Sequence, residues 1–135
     1  MSPAVTANHD MLYRRVIERS GDASRQSEYE DRSVIALATS PDGIHFTAQR
    51  EPSLQAGGPY SATGVEDPTI VPHQGEYIVF YTGWSGWATG IASLLWARGP
   101  ALDALTPQGV AIAPSAPTRF VKEAEYRAGL LWCEV

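Results

Sequence analysis

The sequence predicts an all-β fold, because its apolar segments are short and are separated by residues that favour turns. The clearest strand is Glu76 to Thr82, EYIVFYT, whose β-branched and aromatic residues are typical of a buried strand. Turns are marked by Pro41-Asp42-Gly43 and by His73-Gln74-Gly75, since proline, aspartate and glycine suit tight backbone reversals. We therefore expect roughly six or seven short strands.

The first part of the chain contains three segments that are predicted to be extended. Met11 to Glu18, MLYRRVIE, alternates as a strand does, but it also fits one face of a helix, and both interpretations stay open. Ser33 to Ser40, SVIALATS, is the next strand, and His45-Phe46-Thr47 resumes the extended chain after the turn. Glu51 to Thr63 is expected to be a loop, because it contains Gly57-Gly58-Pro59.

The second part follows a similar order. Thr69-Ile70-Val71 is predicted to be extended and precedes the strand EYIVFYT. A loop rich in glycine and tryptophan is expected from Gly83 to Gly90. Ile91 to Ala97, IASLLWA, is a further strand that Arg98-Gly99-Pro100 ends.

These segments form a weak internal repeat. MLYRRVIE corresponds to EYIVFYTG, and SVIALATSPDGIHF corresponds to GIASLLWARGPALDAL, while a third round begins near Glu123-Ala124-Glu125 and Leu130-Leu131-Trp132. Repeats of about 50 residues with about four strands each are typical of propeller blades. The sequence thus predicts one partial β-propeller domain over 1–135, with a first blade at 1–56, a second at 57–115 and the start of a third at 116–135.

Two blades and part of a third do not close a ring, because propellers have typically four to eight blades and open strand edges invite pairing. The chain also stops at Cys133-Glu134-Val135 in what is predicted to be mid-strand. The expectation is a partial chain, or a homo-oligomer in which other copies complete the ring through the open blade edges.

The composition excludes several function classes. A net charge of -5 and an isoelectric point near 5.1 argue against nucleic-acid binding. The arginines between Arg14 and Arg32 are interleaved with acidic residues, which indicates a mixed-charge surface. No apolar run approaches the roughly 18 residues of a membrane span, and the first residues lack a secretion signal, so a cytoplasmic protein with no membrane partner is expected.

Cofactor and metal sites are not expected. Cys133 is the single cysteine, which leaves neither an intramolecular disulfide nor a thiolate zinc cluster. His9, His45 and His73 form no pair with metal-ligand spacing. The glycine-rich phosphate loops and the serine-hydrolase elbow are also missing from the sequence.

The candidate catalytic residues lie in the run Gly64-Val65-Glu66-Asp67-Pro68-Thr69-Ile70. Pro68 biases Asp67 toward extended geometry, and Gly64 permits close backbone approach, which would aim Asp67 or Glu66 into a central cavity. Cleavage of a glycosidic bond needs a carboxylic acid for the leaving oxygen and, in many enzymes, a second carboxylate. The alternative is an ordinary acidic turn before a strand.

The run GVEDPTIVPHQGEYIVFYTGW resembles the corresponding blade of glycoside hydrolase family 130, five-bladed propellers that phosphorolyse or hydrolyse β-mannosides. SPAVTANHDMLYRRV resembles that family's opening blade strand, and SVIALATSPDGIHF resembles its Ser-x-Asp-Gly-x-x-Phe strand end. The resemblance extends through nearly all of the chain and would cover under half of a five-bladed enzyme. The Asp-Pro motif also occurs in the related families 43 and 32.

The resemblance implies an inverting enzyme that acts on a β-mannoside or a similar oligosaccharide, with inorganic phosphate as a possible second substrate. Asp67 matches the catalytic aspartate, and Glu66 lies beside it. The family commonly has arginine after Asp-Pro, where this chain has Thr69. Lys122 matches a lysine that helps to hold phosphate, whereas Glu123, or Glu125 instead, would supply a second carboxylate, with a solvated charged edge as the alternative.

Residues that bind the sugar are expected among the aromatic and basic side chains. Apolar sugar faces pack on aromatic rings, which makes Tyr60, Trp84 and Trp87 candidates in loops beside the acidic strand, whereas Trp96 and Trp132 are expected in the core. By resemblance Arg14 would reach the cavity, with Arg15 as the alternative because strand neighbours face opposite sides. The competing hypothesis for the whole chain is a non-catalytic carbohydrate-binding module or propeller remnant.

Overall fold

The structure, a computed structural model, describes residues 4–5, 9–20, 30–86 and 89–112 of the chain. The strands within these ranges are β1 (Ala4–Val5), β2 (Asp10–Ser20), β3 (Glu30–Thr39), β4 (Thr47–Leu54), β5 (Gly64–His73), β6 (Glu76–Trp84), β7 (Ala92–Gly99) and β8 (Thr106–Ile112). The described part of the chain contains no helix long and apolar enough to cross a membrane.

The strands form two antiparallel meanders, β1 to β4 and β5 to β8, in which each strand pairs with the next in sequence. The β5–β6 hairpin has a two-residue connection, Gln74 and Gly75, with His73 opposite Glu76. Both connecting residues have positive φ, 49° and 79°, as a type I′ turn requires. Meanders of four strands are the repeating unit of a propeller.

The two meanders meet between β3 and β5, which share one parallel pair, Ser33 opposite Gly64. Most of their contact is apolar instead. One buried cluster takes side chains from both meanders: Leu12, Ile35, Leu37, Leu54, Val65, Val79, Tyr81, Leu95, Ala97 and Leu102. On β6 the cluster residues Val79 and Tyr81 are two positions apart and therefore lie on one face of the strand, whereas on β3 every residue from Val34 to Ala38 is buried.

Several predicted elements are confirmed in outline. The strand interpretation of Met11 to Glu18 is correct, since these residues lie within β2. The segments that were matched as repeats occupy equivalent places, because β2 and β6 are the second strands of the two meanders. The predicted third blade at 116–135 lies outside the described residues.

Other boundaries were wrong. The expected loop from Glu51 to Thr63 begins only after Leu54, because β4 continues through a charged and proline-containing stretch. The extended chain resumes at Thr47, not at His45, and β6 continues through Gly83 to Trp84. Strand β8 was not predicted, because it contains Pro107 and Gly109, two residue types that are unfavourable inside a strand.

Candidate active site

The acidic run lies at a β-bulge in β5. Glu66 is opposite Thr82 and Thr69 is opposite Phe80, so Asp67 and Pro68 together face the single residue Tyr81. Tyr81 is buried, and burial raises the pKa of its phenol above the usual range. A bulge is also one of the few places where a sheet accommodates proline, which has no N–H to donate.

The backbone of Asp67 is left-handed, with φ at 50°. The expectation of extended geometry was therefore wrong: proline disfavours the right-handed helical region for the residue before it, and the bulge imposes a positive φ there. In bulges of this kind the left-handed position is usually glycine, and a non-glycine residue there costs of order 1–3 kcal/mol. Such outliers cluster at functional sites.

The side chain of Asp67 is half-buried. Among the described residues, no hydrogen bond or ion pair engages its carboxylate. Within the described ranges, no donor competes for the oxygens of this carboxyl group, so they can accept hydrogen bonds from a ligand.

Glu66, in contrast, contacts Arg14 of the first meander. The Nε atom of Arg14 lies 3.3 Å from Oε2 of Glu66, as an ion pair whose orientation makes no hydrogen bond. The Nη2 atom of the same guanidinium donates to Oδ2 of Asp31 at 3.4 Å. The side chains are 19% exposed for Arg14, 29% for Glu66 and 11% for Asp31, so the cluster is largely desolvated.

Arg15 has a different role from Arg14. Its Nη1 and Nη2 atoms donate to the backbone carbonyls of Gln49 and Arg50, each at 3.1 Å. These carbonyls lie where the register between β3 and β4 shifts, between Ala36 opposite Pro52 and Ala38 opposite Ala48. Arg15 thus stabilises a bulge in β4, and of the two predicted alternatives only Arg14 contacts the acidic run.

The start of β5 is fixed by contacts on both sides. On the β3 side, Ser33 donates from its backbone N–H to Thr63 O at 3.4 Å and from its hydroxyl to Val65 O at 3.0 Å. A Cβ atom at Gly64 would lie 2.6 Å from Ser33 Oγ. The prediction that Gly64 permits close backbone approach is confirmed. On the β6 side, Thr63 donates from both N and Oγ1 to Trp84 O.

Two of the predicted aromatic residues lie near this end of β5 and β6. Tyr60 is 44% exposed in the loop before β5, and its backbone carbonyl packs against Gly83, where a Cβ atom would lie 2.4 Å from it. Trp84 is the last residue of β6, not a loop residue as expected, and it is half-buried. The close packing at Gly83 brings the loop that carries Tyr60 beside the strand end that carries Trp84.

Two other residues that were named from the sequence, Trp96 and Thr69, lie within strands of the described structure. Trp96 is only partly buried and does not belong to the core cluster. Thr69, after the Asp-Pro pair, is exposed on β5. The remaining candidates lie outside the described residues: Trp87, Lys122, Glu123, Glu125 and Trp132. Within the described ranges, no group of three or more histidine, cysteine or acidic side chains is arranged to hold a metal ion.

The Ser-x-Asp-Gly-x-x-Phe segment forms a turn. Oδ1 of Asp42 accepts from the backbone N–H groups of Ile44 and His45 and from the Ser40 hydroxyl, and Oδ2 lies 2.7 Å from Nδ1 of His45. The His45 ring and then these other donors hold the pKa of Asp42 far below its usual range. The motif therefore stabilises the turn that connects β3 to β4.

Two residues of the site, Asp31 and Ser33, were not predicted from the sequence. Asp31 is expected from the sequence on a mixed-charge surface, although its position shortly before the apolar run from Val34 to Ala38 is the signal for a buried strand start. Ser33 opens that run and was treated as an ordinary strand residue. A serine ahead of five consecutive buried apolar residues needs a hydrogen-bond partner, and this requirement is the signal that was available.

Comparisons with known proteins agree with this architecture. No protein-family model matches the chain. A β-1,2-mannobiose phosphorylase of Thermoanaerobacter sp. (strain X514) is 39% identical over 61 residues, which cover 45% of this chain and 20% of the phosphorylase. The chain thus spans about a fifth of the curated relative that it matches.

Solved structures extend the likeness to most of the chain. A β-1,2-mannobiose phosphorylase from Listeria innocua, solved in complex with β-1,2-mannobiose, superposes with a TM-score of 0.64 at 18% identity, covering 84% of this chain and 44% of that one. A glycosyl hydrolase from Bacteroides ovatus gives a TM-score of 0.59 at 28% identity, covering 84% and 32%. The predicted all-β, partial propeller fold and the resemblance to mannoside phosphorylases and propeller glycoside hydrolases are confirmed: this chain is similar to part of such an enzyme.

Proposed function

We propose that this chain is part of an inverting enzyme that cleaves a β-mannoside or a similar oligosaccharide, with Asp67 as the acid. The observation that carries the proposal is the conformation of Asp67: a half-buried carboxyl group in a left-handed bulge where glycine is usual, with no described protein partner. The similarity to mannobiose phosphorylases supports the choice of substrate class.

In the proposed reaction, Asp67 gives its proton to the glycosidic oxygen while the bond from that oxygen to the anomeric carbon breaks. An oxygen of phosphate or of water bonds to the anomeric carbon from the opposite face, which inverts its configuration. Phosphate yields a sugar 1-phosphate. Water yields the free sugar and passes a proton to a second carboxylate, for which Glu123 and Glu125 remain the candidates.

Glu66 and Arg14 suit a supporting role beside this acid. The ion pair engages the Glu66 carboxylate with a guanidinium that also binds Asp31, which favours charge compensation over proton transfer. Because two carboxylates already surround Arg14, it is poorly placed to attract phosphate. Phosphate binding would then depend on Lys122 or on other residues outside the described ranges.

Sugar binding is proposed for the surface next to the bulge. Tyr60 is exposed there, and Trp84 ends the strand that pairs with Gly64 and Glu66. Aromatic rings offer the flat apolar surface on which the C–H face of a pyranose packs. Trp87 is proposed as a third aromatic contact.

The test is an assay of the chain with β-1,2-mannobiose, with and without inorganic phosphate, in which mannose and mannose 1-phosphate are both quantified. Asp67→Asn should reduce turnover by about 100-fold or more, since a positioned acid contributes about 10²–10⁴-fold. Asp103→Asn is the matched control, because Asp103 is an exposed aspartate between β7 and β8. Unchanged turnover in Asp67→Asn refutes the acid assignment.

A second function, carbohydrate binding without catalysis, is favoured by the short share of the relatives that the chain spans. A propeller site at the axis takes side chains from several blades, so two meanders supply part of it. Calorimetric titration with β-1,2-mannobiose that shows binding without turnover would support this alternative. Sedimentation equilibrium on the same sample tests the proposed homo-oligomer, because a mass of 14.6 kDa corresponds to a monomer.

A further inference from the structure

We propose that Ser33 is a positioning residue for Asp67. Its hydroxyl group and backbone N–H hold the edge of β5 immediately before the bulge, and so determine where the Asp67 carboxyl group is presented. That this carboxyl group acts as an acid rests on the proposed function, whereas the geometric role of Ser33 does not.

The two edges of strand β5 are covered to different extents. Strand β6 covers one edge, and β3 approaches the other only at the pair of Ser33 and Gly64. At this point Ser33 satisfies two acceptors that are two residues apart, Thr63 O through its N–H and Val65 O through its hydroxyl. A strand directs the polar groups of residues two apart to the same edge, and the next residue in that series is Asp67. Asp67, whose backbone is left-handed, is thus the first residue of this series that lies beyond the contact with Ser33.

Burial makes the contact hard to replace. Ser33 is 1% exposed, so water has little access to the Val65 carbonyl if the hydroxyl is lost. A buried carbonyl without a donor costs about 1–3 kcal/mol, which favours a shift of β5 toward another donor. Gly64 lies against the same hydroxyl group, within 2.6 Å of where its Cβ would be, so the strand has no slack on this side.

Asp67 lies only two residues beyond Val65, whose carbonyl accepts from the Ser33 hydroxyl group. Two strand residues span about 7 Å, so a displacement at Val65 is transmitted to Asp67 with little attenuation. A misplacement of about 1 Å at a reacting group costs about 100-fold in rate. Ser33 acts only through the backbone of β5 and makes no contact with substrate in this proposal.

Ser93 provides a matched control. It is also fully buried, at 0% exposed, on the neighbouring strand β7, opposite Gly83. Its hydroxyl oxygen has no hydrogen-bond partner among the described residues. Truncation to alanine removes the same atom at both positions, but only at Ser33 does it remove a hydrogen bond to β5.

The experiment compares Ser33→Ala, Ser33→Cys and Ser93→Ala in the isotope-labelled 135-residue chain. The three-bond coupling between the amide and Cα protons of Asp67 reports its φ. We expect Ser33→Ala to move this coupling toward the extended value and to shift the Asp67 amide resonance, and Ser93→Ala to change neither. Ser33→Cys keeps a side-chain donor that is weaker and bulkier than the hydroxyl group, so it should also change the Asp67 coupling, and it decides the matter if Ser33→Ala does not fold.

Unchanged Asp67 coupling and amide shift in a folded Ser33→Ala or Ser33→Cys variant overturns the proposal, even if the thermal midpoint falls. In the turnover assay, Ser33→Ala should lower kcat by about 10- to 100-fold with little change in KM, and Ser93→Ala should leave both unchanged. If the unmodified chain has no turnover, as an incomplete site would give, the Asp67 coupling by itself decides the role of Ser33; unchanged turnover in Asp67→Asn is the separate result that refutes the acid assignment.

Discussion

The contact between Gly64 and Ser33 leads to a quantitative prediction about the junction of the two meanders. The φ of Gly64 does not lie in the left-handed region, so its backbone conformation is open to alanine. Among the described residues, the one severe obstacle is Ser33 Oγ, at 2.6 Å from the new Cβ atom, because the next atoms, Asp31 O and Ser33 N, are 3.7 Å away. The substitution Gly64→Ala therefore tests one steric contact.

The magnitudes follow from the type of each change. Gly64→Ala overpacks the junction and should lower the free energy of unfolding by about 1–3 kcal/mol. Ser33→Ala leaves the Val65 carbonyl without its donor, and it should also lower the free energy of unfolding by about 1–3 kcal/mol. In the double variant the alanine methyl group occupies the space that the hydroxyl vacates. The double variant should thus be about as stable as Ser33→Ala alone, with a coupling energy of about 1–3 kcal/mol.

Urea unfolding followed by tryptophan fluorescence measures the four free energies, provided that the slopes agree among the variants. The matched cycle uses Gly75→Ala, because Gly75 has open space around it and a φ of 79° in the distant β5–β6 turn. That cycle should show no coupling with Ser33→Ala. If the Gly64 and Ser33 effects add within about 0.5 kcal/mol, the proposed contact does not govern the junction.

Three further outcomes are expected. Asp67→Gly should raise the free energy of unfolding by about 1 kcal/mol, because glycine adopts φ near 50° without strain, while it abolishes turnover; a lower stability than Asp67→Ala contradicts the left-handed geometry. Arg14→Met should lower the free energy of unfolding by about 1–3 kcal/mol, because it leaves the Glu66 carboxylate without its guanidinium. Arg15→Met should lower it by about 1 kcal/mol, because the carbonyl contacts that it removes are exposed to solvent. Equal urea midpoints for the two variants would refute this ranking. The folded-state pKa of Asp42 is lowered, so its stabilising contribution is complete above the unfolded value of about 3.9 and is lost as the pH falls toward the folded value. The difference in urea midpoint between the unmodified chain and Asp42→Ala should therefore shrink below about pH 4, and a constant difference would refute the assignment.

The sequence predicted the central strands well, because their pattern and their physical environment agree. EYIVFYT is β-branched and aromatic throughout, and it forms most of β6. The Gln74-Gly75 turn and the close approach at Gly64 also depend on local backbone chemistry, which a sequence displays directly.

The prediction failed where tertiary pairing overrode local composition. Strand β4, TAQREPSL, contains charges and a proline that are unfavourable in isolation, but pairing with β3 and the guanidinium of Arg15 compensate for its irregular backbone. The conformation of Asp67 depends on the count of residues across the bulge, two against one, which no single strand reveals. Likewise, the choice of Arg14 over Arg15 required the position of β5 relative to β2.

The single parallel pair between Ser33 and Gly64 has a consequence for how further meanders can be added to such a fold. Nearly every backbone ladder in the described sheet is completed inside one meander, and the neighbouring meander is joined mainly through apolar side chains. Apolar packing is non-directional and tolerates exchange of similar volumes, whereas a ladder demands register. A meander copied next to itself therefore finds a compatible neighbour at once, which is a physical route by which tandem duplication yields a folded product.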